Sequence, residues 1–365
     1  MSLSLFAALA LTAAPAKPQP FTIQDQVSMR RISSPSVSPD GKRIAFVLRS
    51  TDLEANKGRT DLWLVHADGS GLRQLTSSPE SEGQPVWSPD GQGLYFLSSR
   101  GGSRQVFRLP LDGGESQAVT KLPLDVGAFA LSRDGKTLAV ALEVYPDCAT
   151  LECTTQRQKE KAQGKSTGQV YDKLFVRHWD TWGNGKRSHL FVLPVDGSGT
   201  PRDVMAGMDA DAPTKPFGGP EEFTFTPDGK GLVFTARDVG NSESWSTDLD
   251  LFLAPVDKAG TPRKLTEKNR ATDTQPVFSP DGKTLAYLAM SRPGYESDRL
   301  RVVLRSWPEG KERVLAEQWD RSAGGLTWSA DGKSVLVTAD DVGHHRAFSI
   351  DVASGQVKAF SGPGY

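Results

Sequence analysis

The sequence predicts an all-β fold, a β-propeller of four-stranded antiparallel blades, and three observations carry that prediction. One turn tetrapeptide recurs six times along the 365 residues. Short runs of aliphatic, β-branched and aromatic residues flank the copies. Glycine (36) and proline (24) together exceed ordinary usage, so the chain turns often and its elements are short.

The copies are Ser38-Pro39-Asp40-Gly41, Ser88-Pro89-Asp90-Gly91, Ser132-Arg133-Asp134-Gly135, Thr226-Pro227-Asp228-Gly229, Ser279-Pro280-Asp281-Gly282 and Ser329-Ala330-Asp331-Gly332. Their steps are 50, 44, 94, 53 and 50 residues, a repeat of about 50 with one step doubled. Proline presets φ for the second position of a type I turn, aspartate suits the third, and glycine takes the left-handed residue that follows. That is a three-residue hairpin loop with a glycine bulge. Pro85-Val86-Trp87 and Phe223-Thr224-Phe225 lead into such turns, and Leu94-Tyr95-Phe96-Leu97 and Leu232-Val233-Phe234 leave them, as strands do. Third strands follow at Asp61–Val65, Gln105–Leu109, His189–Leu193 and Asp250–Leu253, and fourth runs end at Leu75-Thr76, Val119-Thr120 and Leu265-Thr266.

Six blades result, at 35–76, 84–120, 127–206, 222–266, 275–316 and 324–361. The doubled step makes the third blade the carrier of an insertion at 143–188. Trp63, Trp87, Phe225, Phe278 and Trp328 read as packing between blades, and the turn aspartates as turn formers.

With 43 basic and 44 acidic side chains, the net charge of −1 leaves no basic footprint for nucleic acid or an anionic membrane. The apolar run Leu3–Ala14, the following Ala14-Pro15-Ala16 and the extended Lys17–Pro20 read as a signal peptide and linker over 1–20, hence a periplasmic or secreted protein. No later segment is long and apolar enough to span a bilayer as a helix.

Blades are scaffold, so chemistry is sought in the insertion. In an exported protein Cys148 and Cys153 form a local disulfide at its base; in a cytosolic one they are two free thiols. The polar stretch Thr154–Lys165 suits an exposed helical turn or a mobile loop. The run Tyr171–Gly183 concentrates aromatic and charged side chains outside the blade pattern. Arg177 and Asp180 could pair with a charged ligand group, with Trp179 and Trp182 as walls, or the run could simply pack the insertion onto its blade.

Gly164-Lys165-Ser166-Thr167-Gly168 matches G-x-S-x-G, but a nucleophile elbow needs a hydrophobic strand before it, and residues 156–163 are polar. The same letters lack the first glycine of a phosphate loop. His66, His178, His189, His344 and His345 show no metal-binding spacing. No catalytic residue, metal site or cofactor motif is expected.

The segment Phe21–Lys42, FTIQDQVSMRRISSPSVSPDGK, resembles the opening of the N-terminal propeller in the prolyl oligopeptidase family of serine peptidases. The insertion VYPDC…C…VYDKLFVRHWDTW is similar to the branch with dipeptidyl peptidase five and the acylaminoacyl peptidases. The resemblance implies a propeller, usually of seven blades, capping an α/β-hydrolase domain with a Ser-Asp-His triad. Here a seventh blade, the elbow and the triad are all unrecognisable, which implies a truncated portion, inactive alone, that gates short peptides for a missing hydrolase domain. An inserted carboxylate would then hold the substrate's amino terminus, each such hydrogen bond contributing roughly 1.5–3 kcal/mol. The candidates are Glu143 and Asp180, with Arg177, His178, Trp179 and Trp182 shaping the site. The alternative is a self-contained TolB-like six-bladed propeller serving as a periplasmic binding or scaffold protein.

Overall fold

A computed structural model describes residues 20–362. The expected signal peptide lies outside those residues except for Pro20.

Six four-stranded antiparallel sheets follow one another, each a simple meander. Blade one is Arg31–Val37, Arg43–Asp52, Lys57–His66 and Arg73–Gln74, and blade two is Glu82–Trp87, Gly93–Ser98, Gln105–Pro110 and Gln117–Ala118. Blade three is Val126–Leu131, Thr137–Val144, Arg187–Pro194 and Arg202–Asp203, and blade four is Phe223–Phe225, Gly231–Ala236, Asp250–Pro255 and Arg263–Lys264. Blade five is Asp273–Phe278, Thr284–Ala289, Arg301–Ser306 and Glu312–Leu315, and blade six is Gly324–Trp328, Ser334–Asp341, His344–Asp351 and Val357–Ala359. The six-bladed propeller is the one expected, and a short helix, Ile23–Ser28, capped by Thr22 and Asp25, leads into it.

The repeated turn is held by its own side chains. Ser38 Oγ donates to Asp40 Oδ1 at 2.5 Å, the Lys42 amide donates to the same oxygen at 3.1 Å, and the Arg43 amide donates to Ser38 Oγ at 2.9 Å. The other five copies repeat this. The hydroxyl and amide donors hold all six turn carboxyls below the usual carboxylate range. At the far edge of the blades, a threonine just past the fourth strand accepts a third-strand amide: Thr76 from Leu62, Thr120 from Val106 and Thr266 from Leu251, at 2.9–3.0 Å.

Neighbouring blades lock through these turns. Gly91 lies against Pro39, Gly135 against Pro89, Gly282 against Pro227 and Gly332 against Pro280. A Cβ at Gly282 would come within 2.7 Å of Pro227. Trp87 Nε1 donates to Ser36 O at 2.9 Å and Trp328 Nε1 to Val277 O at 3.2 Å, one inner strand binding the previous one. Trp87, Phe225 and Phe278 are buried as expected, while Trp63 and Trp328 are only partly so. Where the third turn has arginine for proline, Arg133 reaches past blade four and donates to Ser279 O at 2.9 Å and Pro280 O at 3.2 Å.

Apolar clusters seal the seams in sequence. Ala45, Leu64, Trp87 and Leu94 join blades one and two, and Leu97, Val126 and Phe129 join two and three. Val192, Phe225 and Phe234 join three and four, Leu251 and Tyr287 join four and five, and Leu288, Val337 and Phe348 join five and six. Among the described residues no such cluster joins blade six to blade one, and Ile32 and Val37 of blade one remain 68% and 59% exposed.

Candidate functional site

The second strand of blade three ends at Val144 and the third begins at Arg187, so the insertion falls where its residues place it. Cys148 and Cys153 form a disulfide at its base. Thr150 then caps the helix Leu151–Gln163, its hydroxyl accepting the Cys153 amide at 3.2 Å. Arg157 on this helix grips Asp147 bidentately at 2.7 and 2.8 Å, and its guanidinium lies 4.6 Å from the Tyr145 ring centre. The stretch predicted as a helical turn or loop is thus a three-turn helix. Ser166 follows that helix in an exposed segment without regular structure, so it has no elbow.

Beyond it, Arg177–His178 pairs with Thr181–Trp182 as a tiny hairpin. Arg177 turns its guanidinium onto the Trp179 carbonyl and lies 5.8 Å from the Trp182 ring centre. The arms of this hairpin border a cavity of about 800 Å³. Its walls include Tyr171, Phe175, His178 and Trp182, and its floor is Glu143, Arg187, Asp209, Asp211 and Lys215.

The floor is an ion network. Arg187 Nε meets Asp209 at 2.9 Å, Nη1 meets Asp211 at 2.9 Å, and the guanidinium takes both oxygens of Glu243 at 2.7 and 2.8 Å. Burial opposes the Arg187 charge, but Glu243, Asp211 and Asp209 outweigh it and raise its pKa. Lys173 donates to Asp209 at 2.8 Å, and this bond with Arg187 holds the Asp209 carboxyl low. Lys215 Nζ sits 3.0 Å from Glu143 Oε2 and 3.0 Å from Asp211 Oδ1. Burial works against its ammonium, yet the two carboxylates prevail and its pKa rises.

Of the six residues singled out in the sequence, Glu143, Arg177, His178 and Trp182 line this cavity. Trp179 packs at a tilt against His178 and Phe217 at centroid distances of 4.9 and 5.3 Å and stays 66% exposed, outside the lining. Asp180 is exposed beside Thr181 and also lies outside it. Sequence reasoning missed Arg187, Asp209, Asp211, Lys215 and Glu243. The signal was the linker after blade three, 204–222, longer than its counterparts 75–81, 119–125, 265–272 and 316–323, with Asp209, Asp211 and Lys215 on it.

A second cavity, of about 520 Å³, lies against the inner strands of blades four, five and six, at Thr224, Gln275, Val277 and Leu326. The structure also pairs His189 Nδ1 with Asp203 at 2.8 Å, but His189 is fully buried inside blade three and its Nε2 meets no partner, so the pair serves no nucleophile. No group of side chains able to hold a metal ion occurs among the described residues. Nor, among them, is any helix long and apolar enough to cross a membrane.

A family profile described as a TolB beta propeller domain matches residues 24–163. Dipeptidyl-peptidase 5 of Porphyromonas gingivalis is 28% identical over 343 residues, 91% of this chain and 48% of that protein. Its namesake in Porphyromonas endodontalis is 32% identical over 282 residues, 76% of this chain and 40% of that one. Among solved structures, the uncomplexed acylaminoacyl peptidase of Pyrococcus horikoshii superposes with a TM-score of 0.67 at 16% identity, over 92% of this chain and 46% of that one. The propeller domain of the Trilobed protease from Pyrococcus furiosus, described as having an open velcro topology, gives 0.60 at 13% identity, over 92% and 84%. The chain therefore spans about half the length, or less, of the curated relatives it matches. Over its propeller the chain is thus similar in sequence to dipeptidyl-peptidase 5 and in fold to acylaminoacyl peptidase.

Proposed function

We propose that this chain is the substrate-selecting propeller of a secreted, dipeptidyl-peptidase-like serine exopeptidase, acting with an α/β-hydrolase domain that carries the nucleophile. The observation behind this reading is the floor of the insertion cavity, where a primary ammonium already rests between two carboxylates. An N-terminally free peptide presents the same group. A volume of about 800 Å³ suits the first two or three residues of a peptide, within the ordinary range of ligand sites. Glu143 anchors the amino terminus, and Arg177, His178 and Trp182 shape the wall, with Trp179 and Asp180 at its rim. A ring of blades over a catalytic serine admits short or unfolded peptides and turns away folded ones. The seam between blades six and one, which no apolar cluster fills among the described residues, fits a unit that works within a larger assembly. The Cys148–Cys153 disulfide fits an oxidising compartment.

The test is calorimetric titration of the 365-residue chain with Gly-Phe-amide and with its N-acetyl form. The free-amine ligand should bind roughly tenfold tighter, as expected for one charge-assisted contact. The chain alone should release no fluorophore from a Gly-Phe-coumarylamide. Failure of the free-amine peptide to bind, binding of both peptides with equal affinity, or hydrolysis by this chain overturns the proposal.

A further inference from the structure

The ammonium site is occupied by the protein itself. Lys215 holds Glu143 and Asp211, Arg187 holds Asp209, Asp211 and Glu243, and Lys173 completes Asp209. Each of these carboxylates therefore has its cation. The cavity is also lined by Lys161, Arg177 and Lys186, with Asp172 as the remaining acid, so its lining carries a surplus of positive charge. An extra ammonium would enter against that surplus and find no free acceptor. An ammonium that replaces another meets neither obstacle, because the charge is unchanged and both carboxylates stay paired. Lys215 is suited to leave: its side chain is 45% exposed, on the linker between blades three and four, and a long stem lets its head reach water.

We propose that Lys215 is an internal stand-in for the ligand's primary ammonium, and that an N-terminally free peptide binds by displacing it from Glu143 and Asp211. This rests on the peptide-binding reading above and adds a selection rule. A ligand without a primary ammonium cannot release the lysine, and one with it is weakened by the fraction of time that Lys215 holds the site.

The experiment compares the wild-type chain with Lys215→Ala and Lys215→Met, each checked for an unchanged circular dichroism spectrum. Calorimetry is run with Gly-Phe-amide, its N-acetyl form and n-butylammonium. Both variants should bind Gly-Phe-amide roughly tenfold tighter than wild type, with the N-acetyl form unaffected. n-Butylammonium should bind Lys215→Ala, compete with the peptide there, and leave wild type untouched. Equal or weaker peptide binding by both variants overturns the stand-in while leaving the peptide site standing. If no protein binds either peptide but n-butylammonium still binds Lys215→Ala alone, the exchange survives and the peptide reading fails. If n-butylammonium fails as well, both fall.

Discussion

Ser88, 5% exposed at the start of its turn, donates to Asp90 and accepts the Gly93 amide at 2.9 Å. Ser88→Ala leaves that buried amide unsatisfied and should cost about 1–3 kcal/mol in urea unfolding. The turn carboxyls also set an acid limit. Their folded pKa values lie below the unfolded ones, so their contribution is fully present above the ordinary carboxylate range and is lost as pH falls from there through the lower folded values. Asp273 works in the opposite sense. Buried between blades four and five, it accepts from Asn269 Nδ2 at 2.8 Å with one oxygen and from nothing with the other, and burial pushes it up to about 7. The folded protein thus binds this proton more tightly than the unfolded chain, and stability falls as pH rises from about 4 to about 7. Asp273→Asn should raise the thermal midpoint at pH 8 and change little at pH 5; a gain equal at both values would refute the ionisation account. The turn motif was legible because its proline, aspartate and glycine each have a fixed backbone preference. The inner-strand bulges were not. Ser34, Gln84 and Gln275 take left-handed φ of 49°, 53° and 55°, a conformation their side chains do not announce, and only Gly325 at the equivalent place hints at it.

At the scale of elements, the insertion is the part that departs from the repeat. Its helix buries only Leu151, which joins the apolar cluster of blades two and three, and Thr154, and it is otherwise held by the Thr150 cap, the Arg157–Asp147 pair and the disulfide. Cys148→Ser should therefore speed tryptic cleavage within Leu151–Gln163 several-fold, read by mass spectrometry, while the thermal midpoint of the blades stays put. The blade spacing and the strands flanking the turns were readable from short apolar runs bounded by turn residues, and so was the size of the insertion, whereas the third and fourth strands of blades five and six were not named from the sequence. The site was half readable. Glu143 and the aromatic hairpin stand in one stretch of sequence, whereas Asp211, Lys215 and Glu243 come from the following linker and the next blade, and only folding brings them to Arg187.

At the scale of the molecule, five seams are filled with apolar side chains and, among the described residues, the sixth is not. Ile32 and Val37 on the unfilled side of blade one give the chain an adhesive face, and self-association through it should grow with concentration. The double substitution Ile32→Lys, Val37→Lys should lower light scattering at high concentration while shifting stability by no more than about 1 kcal/mol, as exposed positions do. Unchanged scattering would locate the contact elsewhere. The sequence revealed the ring through its repeats but not how it is braced. Arg133 ties the third turn to the fifth across the intervening blade, at the one step where the proline–glycine contact is replaced. A strut that skips a neighbour links blades three and five over blade four, and the insertion with its ion network is mounted on blade three, at one end of that span. Breathing of the ring should then be least across blades three to five, where Glu143 and Lys215 sit, and greatest beside the seam of blades six and one, which no apolar cluster fills among the described residues.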